Sequence, residues 1–302
     1  MIPDEFNLLD PHFLERAHAL RIVARRVAPA GRRAEHRSRD RGQGLEFCDY
    51  RPYSPGDELR SVDWNIYRRL GRVVTRLFEE MEDLPIYLLL DLSHSMWAEA
   101  EQPRAVVAMQ VAVGLAAIGL DQHDRVGIFP FGDELDTSTR PTSGRGRLAL
   151  LAQVLTRGAQ AARRNPAGTD LAACIAKFRG LGLREGMIVV LSDFFDPRGV
   201  DAMLREFKRT RHRPLFVAIR RREDREPSLR GDVRVRDCET HAEQDVSITD
   251  AVLQRYRNAY DRHFSQLRAF VRRRHGGWLD IDADADVMDQ MATLFEGGRL
   301  VS

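Results

Sequence analysis

The chain has 302 residues, 43% of them hydrophobic and 30% charged, and a formal net charge of +2. That apolar share is enough for one large domain or two small ones, and the near-balanced charge excludes a global field that would draw the protein onto nucleic acid or a lipid surface. All but two of the 47 basic residues, Lys177 and Lys208, are arginine, a supply of bidentate donors for carboxylates, and the three widely spaced cysteines (Cys48, Cys174, Cys238) fit free thiols better than a disulfide frame or a zinc site.

Along the chain, the opening MIPDEFNLLD is acidic and does not read as a signal peptide. Helical spacing of Leu14, Ala17, Leu20, Val23 and Val27 predicts a helix from Asp10. Residues 31–44 (GRRAEHRSRDRGQG) read as a charged loop. Pro55-Gly56 suits the centre of a type II turn, after which Asp57 caps a short helix with Leu59, Val62 and Ile66 on one face and Gly71 at its end. Residues 73–80 then read as a strand.

From Pro85 the rhythm changes. IYLLLD is a continuous apolar run, as expected of a strand covered on both faces. Pro103 opens a helix to about Leu120, RVGIFPFG is a second strand, and LDTSTRP reads as a hairpin arm. Helices follow over 147–161 and 169–181. MIVVLSD is a third buried strand, 200–209 a helix and PLFVAIR a fourth strand. DVRVRDCET alternates like an exposed or edge strand, RRREDRE reads as a solvated loop, 248–274 is a long helix, WLDID a last short strand and 287–295 a last helix. Alternating strands and helices predict an α/β fold, a mostly parallel sheet flanked by helices, behind a small arginine-rich N-terminal α+β module. The domain boundaries expected from the composition shift are 1–83 and 84–299. The apolar stretches 106–120 and 187–191 fall short of the roughly 20 residues of a membrane span, so a cytoplasmic protein without one is expected.

In such sheets ligands gather beyond the carboxyl ends of the strands. Three polar clusters fall there: Asp91-x-Ser93-x-Ser95 after the first buried strand, Thr169-Asp170 opening a helix, and Asp193 after the third buried strand. Carboxylates mixed with neutral hydroxyls suit a hard divalent cation, Mg2+ or Mn2+. If Ser93, Ser95 and Thr169 bind the ion directly while Asp91 and Asp193 act partly through water, the ion keeps net positive charge and an open position. It then favours a carboxylate from another molecule, which is adhesion rather than bond cleavage.

These residues resemble the metal-ion-dependent adhesion site of von Willebrand factor type A domains. The N-terminal half adds a longer likeness. Gly42, Gly44, Glu46, Phe47, Arg51, Tyr53, Pro55, Gly56, Asp57, Arg60, Asp63, Trp64 and Arg68 match the signature of the domain-of-unknown-function-58 family, whose members place such a stretch before an A-like domain. The resemblance implies a von Willebrand factor A-like, Rossmann-type domain. It also implies an adaptor role beside a MoxR-type AAA+ ATPase in chaperone-like assembly or remodelling, with the ATPase or its client as partner. Many family members carry two membrane helices ahead of the signature; none is read here. Within the signature, Arg51, Tyr53, Asp57, Arg60, Asp63, Trp64 and Arg68 form either a structural network, with the charged groups paired and Trp64 anchoring the module to the sheet, or a docking surface.

The alternative is a metal-dependent phosphoester hydrolase with Asp133, Asp170, Asp196 or His94 as base; the spacing selects none of them, so no catalytic residue is assigned and the chain reads as a non-enzyme. Ser93 stands where an aspartyl-phosphate enzyme would want its second aspartate. GRGRLA at 144–149 lacks a preceding strand and is no dinucleotide fingerprint, DADAD at 282–286 lacks the glycine and glutamate of a calcium loop, and neither lysine follows a phosphate-binding glycine loop. The arginines of the loop 31–44, with little aromatic interleaving, read as solvated rather than as a nucleic-acid grip.

Overall fold

Five short apolar segments pair in parallel and build the sheet that positions everything else: β3 (Ile86–Asp91), β4 (Val126–Phe131), β5 (Met187–Ser192), β6 (Arg213–Arg220) and β9 (Gly277–Asp282), in the order β4-β3-β5-β6-β9. Residue alternation sends Leu88, Leu90, Val189, Leu191, Val217 and Ile219 to one face and Tyr87, Leu89, Ile188, Val190, Phe216 and Ala218 to the other. Both faces are covered, which is why the strands read as unbroken apolar runs. The first face packs on α3 (Arg104–Asp121), α4 (Leu148–Arg164) and α9 (Val287–Glu296); the second packs on α5 (Leu171–Gly180), α6 (Val200–Lys208) and α8 (Asp250–Arg273). The expected class, an α/β fold with a mostly parallel sheet between helices, is the one observed.

This is the structure of a computed structural model, and it describes Phe6, Leu8 and residues 10–17, 45–54, 62–80, 85–98, 102–238 and 242–296. The chain divides into a unit of residues 29–83 and a unit of residues 1–28 with 84–302. The two units meet between residues 28 and 29 and between residues 83 and 84. Phe6, Leu8 and Ala17 are buried in the large unit's core, and Arg16, on the helix α1 over residues 11–17, is paired with Asp286 and Asp289. Apolar residues next to an arginine-rich stretch are placed by burial, which composition does not register.

In the smaller unit, β1 (Leu45–Pro52), which the sequence reading did not assign, pairs antiparallel with β2 (Val74–Glu80), with a register irregularity between Phe47 and Asp49. The short helix is α2 (Trp64–Leu70), later than expected. Asp63 caps it, its Oδ1 accepting the Asn65 and Ile66 N–H groups at 2.9 and 3.2 Å, while Val62 bridges Thr75 instead of joining a helical face. Gly71 ends α2 as expected, at φ 65°, which only glycine adopts without strain. The continuation of α1 through Leu20, Val23 and Val27, the loop 31–44, the Pro55-Gly56 turn, Asp57 and Arg60 lie outside the described residues.

In the larger unit the arm LDTSTRP supplies no strand among the described residues, only an isolated bridge from Leu135 to Phe131, with a second from the following Thr142 to Val126. The alternating segment is β7 (Gly231–Arg236). It pairs with β8 (Glu243–Ile248) in a separate hairpin rather than at the sheet's edge. RRREDRE is not a plain solvated loop. It forms the one-turn helix α7 (Arg222–Arg225), and Arg220, Arg221, Asp224 and Arg225 pair with Asp280, Asp284, Arg104 and Asp261. The one helix among the described residues with the length and apolarity to cross a membrane is α3, and 89% of it is buried in this core.

Candidate metal centre at the carboxyl end of the sheet

β3 has β4 on one side and β5 on the other, so the crossovers leave its two edges in opposite directions. The crevice at the carboxyl ends of β3 and β5 is the topological switch point, where open α/β sheets hold ligands. The two strands run in register from Ile86–Met187 to Leu90–Leu191, which brings Asp91 level with Ser192.

Asp91 is fully buried. Its Oδ1 accepts the Ser93 N–H at 2.9 Å and its Oδ2 accepts the Ser192 hydroxyl at 2.5 Å. Ser93, also fully buried, lies with its Oγ 3.1 Å from that of Ser95. Ser95 in turn hydrogen-bonds the Asp193 carboxylate, whose Oδ1 also accepts the Phe195 N–H at 3.1 Å. Burial and the facing charge of Asp91 push the Asp193 carboxyl up to about 7; the hydrogen bonds and the nearby Arg104 guanidinium oppose this without cancelling it. Arg104 itself is held 2.5 Å from Asp224.

The loop that carries Thr169 is tied to both neighbours. His94 N–H donates to Ala167 O at 2.8 Å, Asp170 N–H donates to Gly132 O at 3.1 Å, and Leu171 N–H donates to Asp196 Oδ2 at 3.0 Å. A Cβ on Gly132 would sit 3.2 Å from both Ala167 Cβ and Gly168 O, so the close approach of this loop to the end of β4 uses glycine. Thr169 is buried within it. Asp91, Ser93, Ser95, Thr169 and Asp193 therefore sit at the end of β3 and just beyond it, on the loop before α5 and just beyond β5, segments knitted together by these bonds.

Two residues that organise the site, Ser192 and Arg104, were not picked out from the sequence, and a third, Asp196, was named there only as a candidate base. Ser192 bridges the two strands, donating to Asp91 and accepting the Phe194 N–H at 2.9 Å. Arg104 supplies nearby positive charge. Asp196 ties the third loop to the second. Only the identity of Ser192 as the last residue of a strand beside an aspartate hinted at its part. Of the candidate general bases, Asp170 caps α5 through the Ala173 N–H and pairs with Arg198, and Asp196 is spent on backbone N–H groups of Leu171 and Arg198. Asp133 is exposed and His94 half-buried. Cys174 is buried, its thiol pushed up to about 12 chiefly by that burial, so it is no nucleophile.

Trp64 is 53% exposed and packs edge-on against Tyr67 at 6.2 Å. Asp63 is buried, caps α2 and accepts the Tyr50 hydroxyl at 3.3 Å. Arg51 and Arg68 are exposed and Tyr53 is half-buried.

Residues 49–266 match the family described as "Protein of unknown function DUF58". The chain is 25% identical over 280 residues to uncharacterized protein Rv1480 of Mycobacterium tuberculosis and to uncharacterized protein Mb1516 of Mycobacterium bovis, in each case across 92% of this chain and 87% of the relative. Among solved structures it is similar to an aerotolerance-related membrane protein from Bacteroides fragilis (TM-score 0.42, 14% identity, 71% of this chain and 99% of that one). It is also similar to the conserved hypothetical protein BatB from Bacteroides thetaiotaomicron (TM-score 0.41, 14% identity, 71% and 98%).

Proposed function

The chain belongs to the DUF58 family, and from that premise we propose that it is a Mg2+-dependent protein-interaction module working in the cytoplasm beside a MoxR-type AAA+ ATPase. The observation that carries the reading is two buried carboxylates, Asp91 and Asp193, facing each other across a set of seryl hydroxyls at the switch point of the sheet. Two like charges removed from water are costly without a counter-charge.

The donor set fits a hard divalent ion. Ser93, Ser95 and Thr169 would supply neutral oxygens, and Asp91 and Asp193 the negative charge, in the manner of the adhesion site of von Willebrand factor type A domains. Among the described residues no group of three or more His, Cys, Asp and Glu gathers that could hold a metal, and the hydroxyl-rich set differs in kind from such clusters. A bound Mg2+ or Mn2+ would offset both aspartates and retain attraction for an acidic side chain of the partner, the ATPase or its client. The neutral hydroxyls leave the ion that attraction. Ser192 fixes the Asp91 carboxylate, and the Ser93 N–H holds its other oxygen.

The test is capture of a purified MoxR-type ATPase by the full chain, with Mg2+ and with chelator, beside calorimetry of Mg2+ binding. Wild type should take up Mg2+ and capture the ATPase only in its presence. Asp91→Ala and Thr169→Ala should do neither while keeping the far-ultraviolet spectrum of the wild type. Equal capture in chelator overturns the reading.

A further inference from the structure

The segment LSDFFD places two phenylalanines directly after the candidate ligand Asp193, and the fold gives them opposite fates. Phe194 is 1% exposed and packs on Phe216 and Trp278 with ring centroids 5.0 and 5.8 Å away. Phe195 is 40% exposed. The reversal is made by the backbone: Phe194 has φ 63°, in the left-handed region that a bulky residue enters at a cost of about 1–2 kcal/mol. Two bonds hold it there, its N–H to Ser192 Oγ at 2.9 Å and its carbonyl to His263 Nε2 at 3.0 Å.

The result is a partly exposed aromatic shelf on the residue directly after the bonded pair Asp193 and Phe194. The Phe195 ring stacks on the His263 ring at 5.4 Å and 20°, and meets Phe264 edge-on at 5.9 Å, so its rotamer is fixed while part of its surface faces solvent. Its own N–H donates to Asp193 Oδ1, which fixes the ring relative to the carboxylate. An immobilised exposed aromatic can contribute binding area without losing side-chain entropy.

We propose that Phe195 is the specificity-determining residue of the metal site: it selects a partner whose acidic side chain is flanked by a bulky apolar group, the acid reaching the ion and the apolar group covering the ring. This rests on the metal-dependent reading above and names the chemistry of the partner that site takes. The strain at Phe194 then has a use, because an extended Phe194 would turn Phe195 away from this position.

The probes are propanoate and 3-phenylpropanoate, which share a carboxylate and differ by a ring, titrated into the full chain in Mg2+ by nuclear magnetic resonance. Calorimetry of Mg2+ alone runs alongside. Wild type should prefer 3-phenylpropanoate by about tenfold, the effect of covering part of one ring. Phe195→Ala should bind both equally with unchanged Mg2+ affinity, and Phe195→Tyr should keep the preference. Equal affinities in Mg2+-loaded wild type, or a preference that survives Phe195→Ala, overturn this inference and leave the metal site standing. Loss of Mg2+ binding in Phe195→Ala makes the ring a support for the loop and also overturns it. No Mg2+ uptake by wild type removes the metal reading itself and this inference with it.

Discussion

Ser192 Oγ donates a 2.5 Å hydrogen bond to Asp91 Oδ2, joining the last residue of β5 to the last residue of β3. The same oxygen accepts the Phe194 N–H, so one hydroxyl fixes a buried carboxylate and the turn that follows Asp193. Ser192→Ala leaves both groups buried and short of a partner. A loss of about 1–3 kcal/mol in urea unfolding is expected. Mg2+ affinity by calorimetry should fall about 10–100-fold, as for other groups that orient a ligand from behind. An unchanged affinity would show that Asp91 needs no such orientation.

Asp193 predicts how metal-free stability changes with pH. Its carboxyl is raised from 3.8 to about 7, first by burial and then by Asp91. Between those values the native state holds a proton the unfolded chain has lost, so stability falls as pH rises through that window. Asp193→Asn removes this slope. In chelator its melting temperature at pH 8 should exceed that of wild type, and added Mg2+, which should raise the wild-type value, should leave the variant unmoved. Thermal melts at pH 5 and pH 8, with and without Mg2+, check both halves.

Arg16 and Asp286 give the opposite sign. The Arg16 side chain, hydrogen-bonded to Asp286 at 2.9 Å, holds that carboxyl down at about 2. A depressed carboxylate adds stability above its unfolded value near 4 and loses it as pH falls through about 2. The pair is largely solvated, so its contribution is expected to be about 1 kcal/mol or less. In Arg16→Ala the Asp286 titration followed by nuclear magnetic resonance should move up towards the ordinary aspartate range. A titration left near 2 would assign the shift to the backbone donors of α9 instead.

Gly186 controls the register on which the site depends. A Cβ there would collide with the Pro85 carbonyl, the group that accepts the Met187 N–H at 2.8 Å and starts the β3–β5 pairing. Backbone cannot yield as a side chain can, so Gly186→Ala should cost about 2–3 kcal/mol and lower Mg2+ affinity as Asp91 and Ser192 slip out of line. Gly114→Ala is the control: its new methyl meets Met291 Cε at 2.8 Å, a flexible side chain, and the helix gains alanine's propensity. Its unfolding midpoint should stay within about 1 kcal/mol of wild type. Equal losses in the two variants would show that the strand register is not held at Gly186.

The parallel strands were legible because burial on both faces writes itself as IYLLLD, VGIFPF, MIVVLS and PLFVAIR, and the long helices because α4, α6 and α8 carry apolar stripes at helical spacing. β1 and β8 escaped because LEFCDYRP and EQDVSI mix charges into the strand pattern and each pairs with one strand in a two-stranded sheet. The helix start at Trp64 was misplaced because Asp57 and Asp63 are equally good caps by type, and Val62, expected on the helical face, bridges Thr75 instead.

The sequence by itself determined that Asp91, Ser93, Ser95, Thr169 and Asp193 lie at strand ends or a helix start, since local periodicity and capping chemistry fix those positions. Only the tertiary structure decided that Ser192 would hold Asp91, that Asp196 would tie one loop to the next, and that Phe194 would turn inward so that Phe195 faces out. Each of those outcomes depends on which strands become neighbours and in what register, and that is settled by closing both faces of the sheet against helices far away in the chain.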